Sequence, residues 1–192
     1  MIEMRDAMRV VLEHRKGDVV LATETSIAAW QDVSEDDSLH LPIPSMSKGS
    51  SMALGVALAR PDRRVIVWDG DGCVLMNLGS LVTIAGAAPA NLYHIVLDNG
   101  MYAMTGGQPL PGEGKTDFAE MATATGYART FEFDDLEEWT VRIGDVLKEE
   151  GPVLIVMKTV PEISDMVNAP PKSRRRMPEA APDTRTVLAA GD

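Results

Sequence analysis

The sequence is short of the residues on which several function classes depend. It holds a single cysteine, Cys73, in 192 residues. That excludes an internal disulfide framework and a cysteine-built zinc site, and it suits a reducing cytoplasm. No apolar run reaches the roughly 18–20 residues a membrane span needs. The N-terminal stretch MIEMRDAMRVVLEHRKGD mixes acids and bases and has no apolar signal core. Excess positive charge is also missing: the formal net charge is -11, which argues against a nucleic-acid-binding face. There is no internal repeat. What remains is ordinary for a globular domain, with 45% apolar and 24% charged residues. A chain of this length buries about two thirds of its unfolded surface, enough for one domain or one domain plus a tail.

Charge and proline are unevenly placed. Residues 161–192 hold five acids, five bases and five of the twelve prolines, so residues 1–160 carry the whole negative excess. The tail has no sustained apolar period and reads as loop or disorder. The expected division is a folded domain over 1–160 and a Pro-rich, Arg-containing tail over 161–192. The cluster Lys172-Ser173-Arg174-Arg175-Arg176 reads as a solvated segment, or an arm touching an acidic subunit.

Along the body, helical and strand patterns alternate. Residues 3–16 read as an amphipathic helix with Met4, Met8, Val11 and Leu12 on one side. Further helices are expected over 47–59, rich in small residues, and over 77–88, 117–125 and 135–149. Strands are expected over 19–22, 65–68, 92–97, 128–131 and 152–160. Residues 31–44 read as loop, and 99–116 as a long Gly/Pro loop. Five short apolar strands separated by helices imply an α/β fold, a doubly wound parallel sheet flanked by helices.

Ligands of such sheets bind outside the C-terminal strand ends. The turns there are Thr23-Glu24-Thr25-Ser26, Asp69-Gly70-Asp71-Gly72-Cys73 and Asp98-Asn99-Gly100-Met101-Tyr102. Glycine lets backbone approach a phosphate, and a helix N-terminus favours negative charge. The Asp71 carboxylate, the Asn99 amide oxygen and a backbone carbonyl suit Mg2+, which in turn holds a diphosphate. The same residues are also good turn formers. Two familiar phosphate motifs fail. A dinucleotide fingerprint needs glycine where Leu75 stands, and a P-loop needs glycine where Pro109 stands.

A third motif fits. Gly70-Asp71-Gly72, then 25 residues, then Asp98-Asn99 resembles the motif of thiamine diphosphate (ThDP) enzymes, GDG followed by about 25 residues and NN. The first Asn is Asp98 here. Pro44-Ser45-Met46 before the small-residue helix matches the flanks. The run from Asp98 to Gln108, DNGMYAMTGGQ, resembles sulfopyruvate and phosphonopyruvate decarboxylases. The similarity covers about residues 18–160.

By this resemblance, Mg2+ is held by Asp71, Asn99 and the Met101 carbonyl. The diphosphate lies on the backbone of Gly72 and Cys73, beside Gly70 and Tyr102. Thr25 and Ser26 fall where relatives contact the diphosphate, although the relatives' Thr-Gly there is Thr23-Glu24 here. Met46 stands at the apolar fulcrum that bends the cofactor, and Pro44 and Met46 supply backbone hydrogen bonds to its aminopyrimidine. ThDP would provide the ylid and electron sink for decarboxylating a 2-oxo acid. The activating glutamate lies in relatives on a separate pyrimidine-binding (PYR) domain. The resemblance therefore implies the β subunit of a split decarboxylase, paired with a PYR-type α subunit as α2β2 or larger; charge and the lack of long apolar runs leave no nucleic-acid or membrane partner expected. The histidines add little: His94 reads as a core residue, and His40, six residues before Met46, is only a minor candidate to approach the site. Many relatives carry an Arg after the first strand, where Ser26-Ile27-Ala28-Ala29-Trp30 stands. An apolar or aromatic 2-oxo acid, an acetolactate-synthase-like carboligation, and a non-catalytic ThDP-binding scaffold remain alternatives. The loop over 103–116 reads as a lid, with Lys115 a candidate for an anionic substrate.

Overall fold

A computed structural model describes residues 1–36, 38–163 and 174–190. In chain order the elements are α1 (Met4–Glu13), β1 (Val19–Thr23), α2 (Thr25–Val33), β2 (His40–Ile43), α3 (Gly49–Ala59), β3 (Val65–Gly70), α4 (Asp71–Leu75), α5 (Gly79–Ala87), β4 (Leu92–Asp98), β5 (Met101–Tyr102), β6 (Gln108–Pro109), α6 (Phe118–Thr125), β7 (Arg129–Phe133), α7 (Leu136–Val146), β8 (Val153–Lys158) and α8 (Met177–Ala190). Six strands form one sheet in the order β2-β1-β3-β4-β8-β7, and every pairing in it is parallel. This is the doubly wound α/β sheet expected from the sequence.

The inner strands are buried on both faces, so they read as continuous apolar runs instead of alternating ones. Alternate side chains still divide between two cores. Val20, Ile66, Trp68, Ile95 and Ile155 face α1, α2 and α7. Leu21, Val65, Val67, Val96 and Val156 face α3, α5, α6 and α8. Trp139 of α7 donates from Nε1 to the Ala7 carbonyl at 3.1 Å and ties α7 to α1.

The structure corrects two expectations. Residues 31–44 are not all loop: α2 runs to Val33, and His40–Ile43 pairs with β1 as an edge strand. Pro42 is tolerated there because an edge strand leaves one side unbonded. The tail is not all loop either. Over 177–190 it forms α8, which lies against β2 and buries Ala180 and Thr184. Arg174 donates to the Gln31 side chain at 2.6 Å and to the Ser34 carbonyl at 2.8 Å, and Arg175 pairs with Asp183 at 2.5 Å. The basic cluster, as far as it is described, therefore docks on its own chain; Lys172 and Ser173 lie outside the described residues. Among the described residues no helix is long and apolar enough to cross a membrane.

Candidate functional site

The strand order reverses between β1 and β3, which places a crevice at their C-terminal ends. The cleft there draws on four segments. Glu24 and Thr25 follow β1, Met46 precedes α3, Gly70 to Cys73 follow β3, and Asn99, Met101 and Tyr102 follow β4. Apart from Ser26 and Pro44, the sequence-proposed residues thus converge from turns up to 77 positions apart, with Glu24, Ala103, Met104 and Thr105 added to them.

Asp71 is the centre of the cleft. Its side chain is buried, with Oδ1 accepting from the Gly72 N–H at 2.7 Å. Oδ2 accepts from the N–H groups of Asn99 at 2.9 Å and Gly100 at 2.7 Å. One carboxylate therefore staples the β3 turn to the β4 turn. Burial nevertheless pushes its pKa up to about 6, against the lowering effect of those three N–H groups, and Asp98 adds to the rise. A buried carboxylate whose charge is under-compensated is a position that a cation satisfies. Asn99 turns its Oδ1 back to accept from the Met101 N–H at 3.0 Å. Carboxylate, amide oxygen and backbone carbonyl form an all-oxygen donor set, which fits a hard divalent ion. Among the described residues no group of three His, Cys, Asp or Glu side chains offers another metal site.

Gly72 is required by close approach. A Cβ there would stand 2.6 Å from Tyr102 Cε1, so the Tyr102 ring lies directly on the turn. Gly49, the first residue of α3, has the same role beneath, where a Cβ would meet Thr23 Cγ2 at 2.4 Å. Cys73 is buried, and burial with the Asp69 charge pushes its thiol up to about 12. That removes it as a nucleophile. Asp98, in place of the first Asn of the motif, accepts from Lys158 Nζ at 2.7 Å across β4 and β8.

Met46 is half-buried and lines the cleft. Its neighbour Ser47, at φ 67, is anchored through its carbonyl by Asn77 Nδ2 at 3.0 Å. Two expected residues are not brought in. Ser26 spends its hydroxyl on strand ends, donating to the Thr23 carbonyl at 2.6 Å and accepting from the Thr23 N–H at 2.8 Å. Pro44 is exposed outside the cleft. His40 is buried in β2 against Trp30, and burial with the charges of Arg15, Arg175 and Arg174 lowers its pKa to about 3. It does not line the site. His94 is a core residue, with Nδ1 3.2 Å from the Tyr127 hydroxyl and Nε2 3.5 Å from Asp69. Lys115 is exposed on the turn after Pro111 and does not line the cleft.

Sequence reasoning noted Glu24 only as the residue standing where relatives carry Gly, and did not place it in the site. It stands at φ 49, ψ -120, lines the cleft, and has its pKa raised by burial and by Asp69. The acid followed by Thr and Ser after an apolar strand was its only signal.

Comparison with known proteins agrees with this fold. Residues 32–157 match the model of the thiamine pyrophosphate enzyme C-terminal TPP-binding domain. The chain is 35% identical over 156 residues to a phosphonopyruvate decarboxylase of Streptomyces viridochromogenes, covering 81% of this chain and 39% of that protein. It is 41% identical over 117 residues to sulfopyruvate decarboxylase subunit beta of Methanocaldococcus jannaschii, covering 61% of each. It therefore spans between about two fifths and three fifths of these relatives. In fold it is similar to benzoylformate decarboxylase of Polynucleobacter necessarius, with a TM-score of 0.71 at 21% identity over 83% of this chain and 33% of that one. With its glycine-flanked Asp71 facing Asn99 at the switch point of a parallel sheet, the chain belongs to the thiamine pyrophosphate enzymes, through their C-terminal TPP-binding domain.

Proposed function

We propose that the chain is the ThDP-binding subunit of a Mg2+-dependent decarboxylase acting on a 2-oxo acid, with the active site completed by a separate pyrimidine-binding subunit. The observation that carries the reading is the Asp71 staple, one buried carboxylate joining the two turns that would hold the metal. ThDP, when bound, supplies the carbanion that adds to the ketone and the ring that accepts the electrons left by CO2. This chain's part is binding and orientation. Asp71, Asn99 and the Met101 carbonyl would hold Mg2+. The backbone of Gly72 and Cys73 would receive the diphosphate, and the Tyr102 ring lies over Gly72. Met46 would offer an apolar surface to the cofactor's rings. Relatives named as subunit beta support a heteromer.

The test is native mass spectrometry of the assembly recovered from its own cells, followed by calorimetric titration of Mg2+–ThDP. The assembly is expected to hold a second subunit of domain size and the cofactor. Asp71→Ala is expected to weaken Mg2+–ThDP binding by about 100-fold and to abolish CO2 release. An Asp71→Ala assembly that still binds the cofactor and still decarboxylates would sink the reading.

A further inference from the structure

Two residues before Asp71 stands a second carboxylate, Asp69, to which the site as described gives no role. It is fully buried, and so is His94 on the neighbouring strand β4. Asp69 Oδ1 accepts from the Thr23 hydroxyl at 3.1 Å and from the Gly70 N–H at 3.1 Å. Asp69 Oδ2 and His94 Nε2 have no hydrogen-bond partner among the described residues, and they face each other at 3.5 Å. The other ring nitrogen, Nδ1, lies 3.2 Å from the Tyr127 hydroxyl. If Nδ1 carried the proton, the Nε2 lone pair would be set against a carboxylate oxygen. The favoured tautomer therefore has Nδ1 accepting from Tyr127 and its N–H at Nε2, aimed at Asp69.

This arrangement costs the fold free energy. A buried carboxylate with one oxygen unbonded is expensive, and apolar side chains of similar volume are often no worse. Its retention points to a use, and its contacts show where. Thr23 ends β1, and Gly70 opens the turn after β3. A Cβ on Gly49, the first residue of α3, would stand 3.2 Å from Asp69 Oδ2. Gly70 lines the cleft around Asp71. Thr23 and Gly70 also line a second cleft beside Met4 and Glu162, and Glu24 belongs to both. Asp71 staples the β3 turn to the β4 turn; Asp69 ties that same β3 turn to the end of β1.

We infer that Asp69 is a positioning residue for the cofactor: held by His94, it fixes the end of β1 against the β3 turn, so that the Gly70–Cys73 backbone and Asp71 are set before Mg2+ and the diphosphate arrive. The inference rests on the ThDP-binding reading above. Asp69 acts through Thr23 and Gly70 and touches neither the metal nor the cofactor.

The experiment is calorimetric titration of Mg2+–ThDP into the purified native complex freed of cofactor, with the thermal midpoint of each cofactor-free variant measured beside it. Asp69→Asn keeps the shape and removes the charge. It is expected to leave the midpoint unchanged or raised, yet to weaken Mg2+–ThDP binding about tenfold or more. At saturating cofactor its kcat should stay within about threefold of native, because positioning acts on binding. Thr23→Val removes one donor from Asp69 and should weaken binding by a smaller factor. His94→Leu should also weaken it, and His94→Gln, which returns an N–H near the place of Nε2, should recover most of the loss. A merely structural role would move the midpoint and leave the folded fraction with native affinity. Asp69→Asn binding that is weakened less than about fivefold overturns the inference. Should that variant not fold, Thr23→Val binding at native affinity, or His94→Gln binding as weakly as His94→Leu, overturns it. A native complex that takes up no Mg2+–ThDP overturns the cofactor reading, and this inference with it.

Discussion

On one face of the sheet, α1 and α7 carry four charged residues each, whereas on the other face α3 and α5 carry none. Residues 72–97 hold no Asp, Glu, Lys or Arg at all. Yet α3 and α5 are not enclosed. Leu58, Met76, Leu78 and Val82 are exposed there, and a Cβ at Gly55, Gly79 or Gly86 would meet nothing within 4 Å. A charged outer face is finished by water. An apolar outer face studded with glycine lets another backbone come close, and exposed apolar surface is where a partner can dock. The α3–α5 layer also reaches the cleft, since Ser50 and Ser80 join the two helices at 3.0 Å and Asn77 anchors Ser47 beside Met46. The proposed partner subunit would dock there and close the site from that side.

The contrast can be broken from either layer. The largest effect is expected from Trp139→Ala on the charged side, because Trp139 is fully buried and bridges α7 to α1. It should cost the isolated chain about 3–5 kcal/mol in urea unfolding. Next is Val82→Lys, at a site 61% exposed on α5. It should barely alter the isolated chain but weaken assembly by about 100-fold in analytical ultracentrifugation, since it sets an unpaired ammonium in an apolar contact. A smaller effect concerns pH. The Asp71 carboxyl is raised to about 6 in the fold, so the stability it contributes is full below about pH 4 and is lost as pH rises through 6. Relative to Asp71→Asn, the cofactor-free chain should therefore lose on the order of 1–3 kcal/mol between pH 4 and 7.5, and Mg2+–ThDP should offset that loss. The smallest effect is expected from Val141→Lys on α7, at a site 75% exposed. It should change both stability and assembly by less than about 0.5 kcal/mol. If Val141→Lys disrupts assembly and Val82→Lys does not, the two layers have been assigned the wrong way round.

The inner sheet was legible because strands buried on both faces must be apolar throughout, as in 65–68 and 92–97. The turns were legible because glycine and oxygen-bearing side chains cluster after those strands. The edges were not. β2 hid behind the acidic segment before it and behind Pro42, and its burial comes from α8, more than 130 residues later. α8 hid because Pro178 and Pro182 break the helical pattern and because the side chains it buries, Ala180 and Thr184, are small. Glu24 shows a different limit. Its position after a strand was plain, but its positive φ and its place between two clefts depend on how α2 leaves β1, which no local pattern records.

The cover that α8 gives β2 has a consequence for the behaviour of the chain in bulk. A parallel sheet has two outer strands, and each offers a row of N–H and C=O groups to any strand that approaches. At β7 that approach meets Arg129 and Glu132, a charged deterrent. β2 has no such residue among His40, Leu41, Pro42 and Ile43. Its protection is the tail helix laid against it, pinned by the Thr184 hydroxyl donating to the Ser38 carbonyl at 3.1 Å. The C-terminal segment would in that light act as a colloidal stabiliser, and a chain cut at residue 173 should scatter light and grow into aggregates at concentrations where the intact chain stays clear.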